Sequence, residues 1–190
     1  MVQAREISVP DAAAAWERLG FAADAGGVVQ VGGVRVVTGA ERIAVAADGL
    51  AAECPDGLPL VHARVRASGA PGEHPNCAVV LDHVVALTDD MDRTLAALEA
   101  AGLDLRRRHG AMAFLRLGEL ILEVVERPGA AVAFWGLVVV VPDLDGLGPL
   151  VGDPKDAVQP GRRIATVRPE AGLTTALAFM TPRPQPAAPG

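Results

Sequence analysis

The chain has 190 residues, of which 51% are hydrophobic and 21% are charged, and this is the composition of a globular protein with an apolar core. Its formal net charge is −6 and its basic residues are scattered, which argues against a nucleic-acid-binding face. No apolar run approaches the roughly 20 residues that a membrane-spanning helix needs. We therefore expect a protein that binds neither nucleic acid nor membrane.

The first ten residues, MVQAREISVP, contain no basic stretch followed by an apolar one, so we expect no secretory signal and a cytoplasmic location. Cys54 and Cys77 lie far apart and lack the spacing of a zinc site. They are predicted to be two free thiols.

Residues 1–66 predict a degenerate, shorter module with the order strand, helix, strands. The strand REISVPD precedes a short helix, AAAAWERLGF, in which Trp16 is expected to be a core residue. The stretch VVQVGGVRVV reads as two strands joined at a glycine pair, and ERIAVAAD and LPLVHARV as two further strands. Residues 67–76 are predicted to be a linker.

Residues 77–127 form the clearest module. After the apolar strand AVVLDHVVAL, Asp90 has the position of a helix N-cap, and Gly102 stands where the helix should end. Two strands follow, 113–117 and 119–125, and 104–106 can form another strand edge. The basic run at 106–109 is predicted to be a solvated turn.

Residues 134–180 repeat this order in a weaker form. The strand FWGLVVVV precedes a short helical stretch around Leu144 and Leu147, where nearby glycine and proline favour a single turn over a full helix. The segments RRIATVR and LTTALAFM predict a hairpin. The tail at 181–190, TPRPQPAAPG, is proline-rich and predicted to be disordered.

These segments predict an α+β fold made of repeated βαβββ modules. One module alone leaves an apolar sheet face in water, so we expect the modules at 77–127 and 134–180 to pair into one open bowl, a domain spanning 77–180. The shorter N-terminal module then packs beside this pair or against another subunit. A homodimer is the one protein partner that the sequence leaves open.

The stretch LDHVV around His83, the helix-opening Asp90 and the stretch ILEVV around Glu123 together resemble one half of a glyoxalase-like domain. This domain is typical of the glyoxalase/bleomycin resistance/extradiol dioxygenase superfamily, also called vicinal-oxygen-chelate proteins. The resemblance implies that His83 and Glu123 point into a shared concave site, as catalytic residues and as ligands of a divalent metal such as zinc, iron, nickel or manganese.

The other ligand positions implied by the resemblance carry no metal-binding side chain. Counting back seven residues from the corresponding aspartates gives Ala4 and Gly136, and the matching last strands offer Val37 and the segment 176–178. Two ligands fall short of the three that catalytic metal sites ordinarily use. His83 and Glu123 can also work without metal, with Glu123 as a general base if burial raises its pKa.

The loop at 155–163 supplies the candidate substrate-binding residues. Its Pro-Gly turn delivers Arg162 and Arg163 onto a strand, and the one that faces inward can hold an anionic group, with Gln159 beside it. The alternative is an ordinary solvated strand edge. Trp135 can wall the ligand pocket, or it can pack in the core between the modules.

The predicted function is a site that binds or transforms an oxygen-rich, sometimes anionic, small molecule. As an enzyme the protein would be a metal-dependent lyase, isomerase or dioxygenase. The alternatives are a metal-free ligand-sequestering protein of the bleomycin-resistance type and a non-catalytic interaction module.

Overall fold

The computed structural model describes residues 1–64 and 72–184, which form two β-sheets with short helices. The five-stranded sheet contains β1 (Gln3–Ser8), β2 (Val28–Val31), β3 (Val34–Val37), β4 (Ala44–Asp48) and β5 (Leu60–His62). The helix α1 (Ala13–Glu17) follows β1, and a 3₁₀ turn at Pro55–Gly57 precedes β5. In the described residues no helix has the length and apolar character needed to cross a bilayer.

The eight-stranded sheet contains the remaining strands. They are β6 (Val80–Thr88), β7 (Asp104–His109), β8 (Met112–Leu117), β9 (Leu120–Glu126), β10 (Ala133–Val140), β11 (Lys155–Asp156), β12 (Arg163–Thr166) and β13 (Ala176–Met180). The helix α2 (Met91–Ala100) lies between β6 and β7. A second 3₁₀ turn, Pro169–Ala171, precedes β13.

The helix α2 begins and ends where the sequence predicts. Asp90 accepts a hydrogen bond of 3.0 Å from the backbone N–H of Arg93, which satisfies one of the free donors of the first turn. Gly102 has φ +94°, a conformation that glycine adopts without strain. Met91 and Leu98 on the predicted apolar face are buried.

The strand pairing shows two joined modules of the βαβββ type, the second without an α-helix after its first strand. The strand order is β11-β12-β13-β10-β6-β9-β8-β7, with β6 parallel to β9 and β10 parallel to β13. The first strands of the two modules, β6 and β10, pair in antiparallel fashion and join the halves into one sheet. The predicted α+β fold class is therefore confirmed.

Of two predictions about local structure in these modules, one is confirmed and one is wrong. The chain around Leu144 and Leu147 forms a single turn, in which the N–H of Leu147 donates a 3.4 Å hydrogen bond to the carbonyl of Leu144, and Gly146, Gly148 and Pro149 disfavour a full helix. The basic run at 106–109 is part of the edge strand β7 and not a turn. Pairing with β8 outweighs the charge of this segment.

The five-stranded sheet repeats the pairing pattern of the larger sheet with fewer strands. Its order is β2-β3-β1-β4-β5, with β1 parallel to β3, antiparallel to β4, and β4 parallel to β5. The N-terminal module thus places β4 and β5 on the opposite side of β1 from its hairpin. Part of the predicted linker, 67–71, and the tail at 185–190 lie outside the described residues.

The chain segment after α1 packs against the module at 134–180, which has no α-helix in the described residues. Trp16 is fully buried, as predicted, and its ring lies 5.0 Å from that of Phe21. Phe21 in turn stacks on Phe179 of β13 at 5.8 Å. Asp11 accepts hydrogen bonds from the backbone and hydroxyl of Thr174. One continuous apolar core therefore connects the two sheets.

Candidate functional site

The site lies on the face of the eight-stranded sheet that points away from the apolar core, here called the open face. Along β9, Leu122 and Val124 are fully buried, so Ile121, Glu123 and Val125 point to the open face by strand alternation. The parallel partner β6 places His83 opposite Ile121 and Val85 opposite Glu123. His83 and Glu123 are therefore diagonal neighbours on one face.

Two cavities lie side by side on the open face. The first, called the apolar cavity, has a volume of about 230 Å³, and its lining includes Glu123, Val85 and Trp135. The second, called the basic cavity, has a volume of about 200 Å³, and its lining includes His83 and Gln159. Glu123 thus lines one cavity and His83 lines the cavity next to it.

Glu123 is the ionisable group of the apolar cavity. Burial raises the pKa of its carboxyl, and the charge of His83 partly opposes this effect. Among the described residues, no side chain or backbone group donates a hydrogen bond to the carboxylate. A carboxylate in this setting costs folding free energy when it is ionised, because water is partly removed and no donor replaces it.

His83 is buried, and the carboxylate of the preceding residue, Asp82, lies close to its ring. The pairing of β6 with β10 shifts by one residue at this point, so Asp82 is an extra residue in a β-bulge and lies close to the neighbouring imidazole. The Nδ1 atom of His83 lies 2.7 Å from Oδ2 of Asp82, but the two groups are poorly aligned for a hydrogen bond, and we treat the contact as electrostatic.

Arg162, from the module at 134–180, contacts the same carboxylate of Asp82. Its guanidinium is buried and donates a hydrogen bond of 3.0 Å from Nη1 to Oδ2 of Asp82 and one of 2.7 Å from Nε to the carbonyl of Thr181. Burial by itself would raise the pKa of Asp82, but the interactions with His83 and Arg162 outweigh it and lower the pKa to about 2. Asp82 is consequently ionised at neutral pH.

The donor set does not fit a catalytic divalent metal. No group of three or more His, Cys, Asp or Glu side chains in metal-binding proximity occurs in residues 1–64 and 72–184. In the module at 134–180, Gly136 takes the position that corresponds to His83. A Cβ added there would lie 2.6 Å from the carbonyl oxygen of Ala176. Ala178, which corresponds to Glu123 in the strand register, has no carboxylate. The second half of the implied ligand set is missing.

The other predicted residues have different environments. Gln159 lines the basic cavity, and Trp135 lines the apolar cavity with 51% of its surface exposed, so the core-packing alternative for Trp135 is wrong. Arg162 is the arginine that faces inward, yet it contacts Asp82 and lines neither cavity. Arg163 is exposed and lies 3.6 Å from Asp145.

The sequence interpretation missed two cationic residues of the basic cavity, Arg107 and Arg183, as well as His109. A signal for Arg107 and His109 was present: in a strand, alternate residues of the run at 106–109 point to one face. It was not recognised, because the run at 106–109 was predicted to be a turn. Arg183 comes from the chain after β13, and no sequence pattern placed it near β7.

Comparisons with known proteins find similar chains only among solved structures. No family model matches the chain, and no curated protein matches it significantly. Among solved structures, a hypothetical protein from Bacillus halodurans C-125 matches with 16% identity and a TM-score of 0.45, over 57% of this chain and 97% of its own. Methylmalonyl-CoA epimerase from Mycobacterium tuberculosis matches with 16% identity and a TM-score of 0.48, over 57% and 91%. With TM-scores below 0.5 and an identity of 16%, these similarities carry no further argument.

Proposed function

We propose that the open face binds a small oxygen-rich molecule and that Glu123 acts there as a general base without a metal ion. The observation that carries the proposal is the state of Glu123, a partly buried carboxylate in an apolar cavity, with a pKa raised by burial and no donor from the described residues. Such a group accepts a proton more readily than an exposed glutamate. It is available to a ligand because the fold does not use it.

His83 supplies the complementary role. A proton removed from carbon by Glu123 leaves negative charge on a neighbouring oxygen of the substrate, and a donor fixed in advance stabilises that charge. The His83 imidazole lines the adjoining cavity, and the carboxylate of Asp82 lies 2.7 Å from its Nδ1 atom. Gln159 adds an amide for the oxygen atoms, and Trp135 forms an apolar wall. Arg162 acts through Asp82 as a positioning residue.

Proton exchange tests the proposed base. Wild-type protein is incubated in D₂O with a panel of 2-oxo acids and hydroxyketones, and loss of the proton next to the carbonyl is followed by ¹H NMR. The exposed Glu119 on the same hairpin provides the matched control. We expect Glu119→Gln to exchange like wild type and Glu123→Gln to lose about 100-fold or more. Exchange that survives in Glu123→Gln would contradict the proposal.

Elemental analysis separates this proposal from a metal-dependent lyase, isomerase or dioxygenase. Protein purified without added metal is compared with His83→Ala. Stoichiometric zinc, iron, nickel or manganese in the wild type, lost in His83→Ala, would favour the metal enzyme. Tight ligand binding without any exchange would instead favour a ligand-sequestering protein, and a thermal-shift screen without any ligand would favour an interaction module.

A further inference from the structure

The basic cavity has a lining that suits a negatively charged ligand. Its lining includes four residues with nitrogen-containing basic side chains, His83, Arg107, His109 and Arg183, and among the described residues no carboxylate lines it. The chain as a whole carries a net charge of −6, so this local excess of cationic groups is not a consequence of the overall composition. Met112 and Phe114 belong to the apolar part of the same lining.

Some of the basic residues of β7 form ion pairs with carboxylates. Arg106 lies 3.0 Å from Asp104, and Arg108 lies 2.5 Å from Asp92 of α2. Within the described part of the chain, neither Arg107 nor Arg183 has a carboxylate at ion-pair distance. Carboxylates of β7 and α2 thus pair with the arginines on either side of Arg107, and Arg107 itself lines the basic cavity.

The strand register relates Arg107 to the proposed base. Arg107 of β7 lies opposite Phe114 of β8, and Phe114 lies opposite Glu123 of β9. The backbones of Arg107 and Glu123 are thus two strand spacings apart, roughly 10 Å. Phe114 lies between them. Its ring is edge-on to the ring of His83, and the two ring centroids are 6.3 Å apart. Cation, apolar floor and carboxylate follow one another across the open face.

We propose that Arg107 and Arg183, with His109, form a subsite for the oxyanion of an organic acid or phosphate ester whose carbon skeleton extends over Phe114 toward Glu123. This inference rests on the proposed function and specifies its substrate class. Guanidinium groups bind carboxylate and phosphate through paired hydrogen bonds. The charge of Glu123 repels an anion bound in the opposite orientation, so the arrangement selects one direction of binding.

Titration calorimetry at low salt tests the subsite with three probes that share one ring: phenyl phosphate, benzoate and neutral benzamide. The test variant is the double substitution Arg107→Gln/Arg183→Gln, and the matched control is Arg106→Gln on the same strand. All three arginines are exposed, so the fold should be retained. We expect an anionic probe to bind and its Kd to rise about tenfold or more in the double variant, and less than about twofold in the control.

The order of affinities identifies the anion. Tighter binding of phenyl phosphate supports a phosphate ester, and tighter binding of benzoate supports a carboxylic acid. The subsite is overturned if neither anion binds, if benzamide binds as well as both anions, or if the double variant and the control respond alike. Anion binding that depends on Arg107 and Arg183, together with proton exchange that does not depend on Glu123, would retain the subsite and reject the base.

Discussion

Asp82 owes its charge to neighbours from two parts of the chain. A β-bulge brings it beside His83, and Arg162 reaches it from the loop before β12. The folded-state pKa of about 2 lies below the ordinary value of 3.8, so the ionised carboxylate stabilises the folded protein. This stabilisation is present above about pH 4, and it is lost as the pH falls toward 2.

We predict that Asp82→Asn destabilises the protein at pH 7 by about 3–5 kcal/mol, because it leaves the buried guanidinium of Arg162 without its counter-ion. The pair Arg163 and Asp145, which is exposed, is the matched control, and Asp145→Asn should cost less than about 1 kcal/mol. Urea unfolding at pH 7 and pH 3 measures both. The wild type should lose stability between these pH values by more than Asp82→Asn does. Equal costs for the two substitutions would contradict the prediction.

His83 and Glu123 became candidates because the stretches LDHVV and ILEVV resemble those of a glyoxalase-like domain, in which a polar residue interrupts each apolar strand. Their position on one face follows from strand alternation and needs only the register of β6 and β9. Asp82 was not identifiable, since regular alternation places it on the opposite face from His83. A bulge is a property of the pairing between two strands, so no local pattern predicts it.

Gly136 is an element-scale constraint on β10, because it allows the close approach of β13. We predict that Gly136→Ala costs about 1–3 kcal/mol, since its Cβ would lie 2.6 Å from the carbonyl oxygen of Ala176. Gly146 is the matched control: the nearest atom to an added Cβ there is 3.8 Å away. Gly146→Ala should be neutral or slightly stabilising. Urea unfolding of both variants is the measurement, and a neutral Gly136→Ala would show that the strands can separate without cost.

The elements were predictable where local signals agree. Around α2, the N-cap Asp90, the apolar spacing and Gly102 all indicate the same helix, and the structure has it. The run at 106–109 was not predictable as a strand, because four consecutive basic residues resemble a solvated turn. Its backbone hydrogen bonds to β8 decide the outcome. Pairing with a distant segment outweighs local preference in a sheet.

At the scale of the whole molecule, the apolar core passes from one sheet to the other through Trp16, Phe21 and Phe179. The chain contains two tryptophans, so Trp135→Phe leaves Trp16 as the reporter of the N-terminal part. We predict that urea unfolding of this variant gives coincident transitions by tryptophan fluorescence and by far-ultraviolet circular dichroism. Separate midpoints would show that the five-stranded sheet unfolds independently, as the division into residues 1–66 and 77–180 allows.

The sequence by itself indicated the repeated order of strands and helices and the pairing of two modules, and its resemblance to a glyoxalase-like domain implied the candidate pair His83 and Glu123. The order of the elements depends on periodicity and on turn residues, which are local. Only the tertiary structure decided that Arg162 pairs with Asp82, that Trp135 is exposed beside a cavity, and that Arg107 and Arg183 line the same cavity. The physical reason is that strand register, bulges and the route of the chain after β13 bring together residues far apart in sequence, and burial and charge are properties of that assembly.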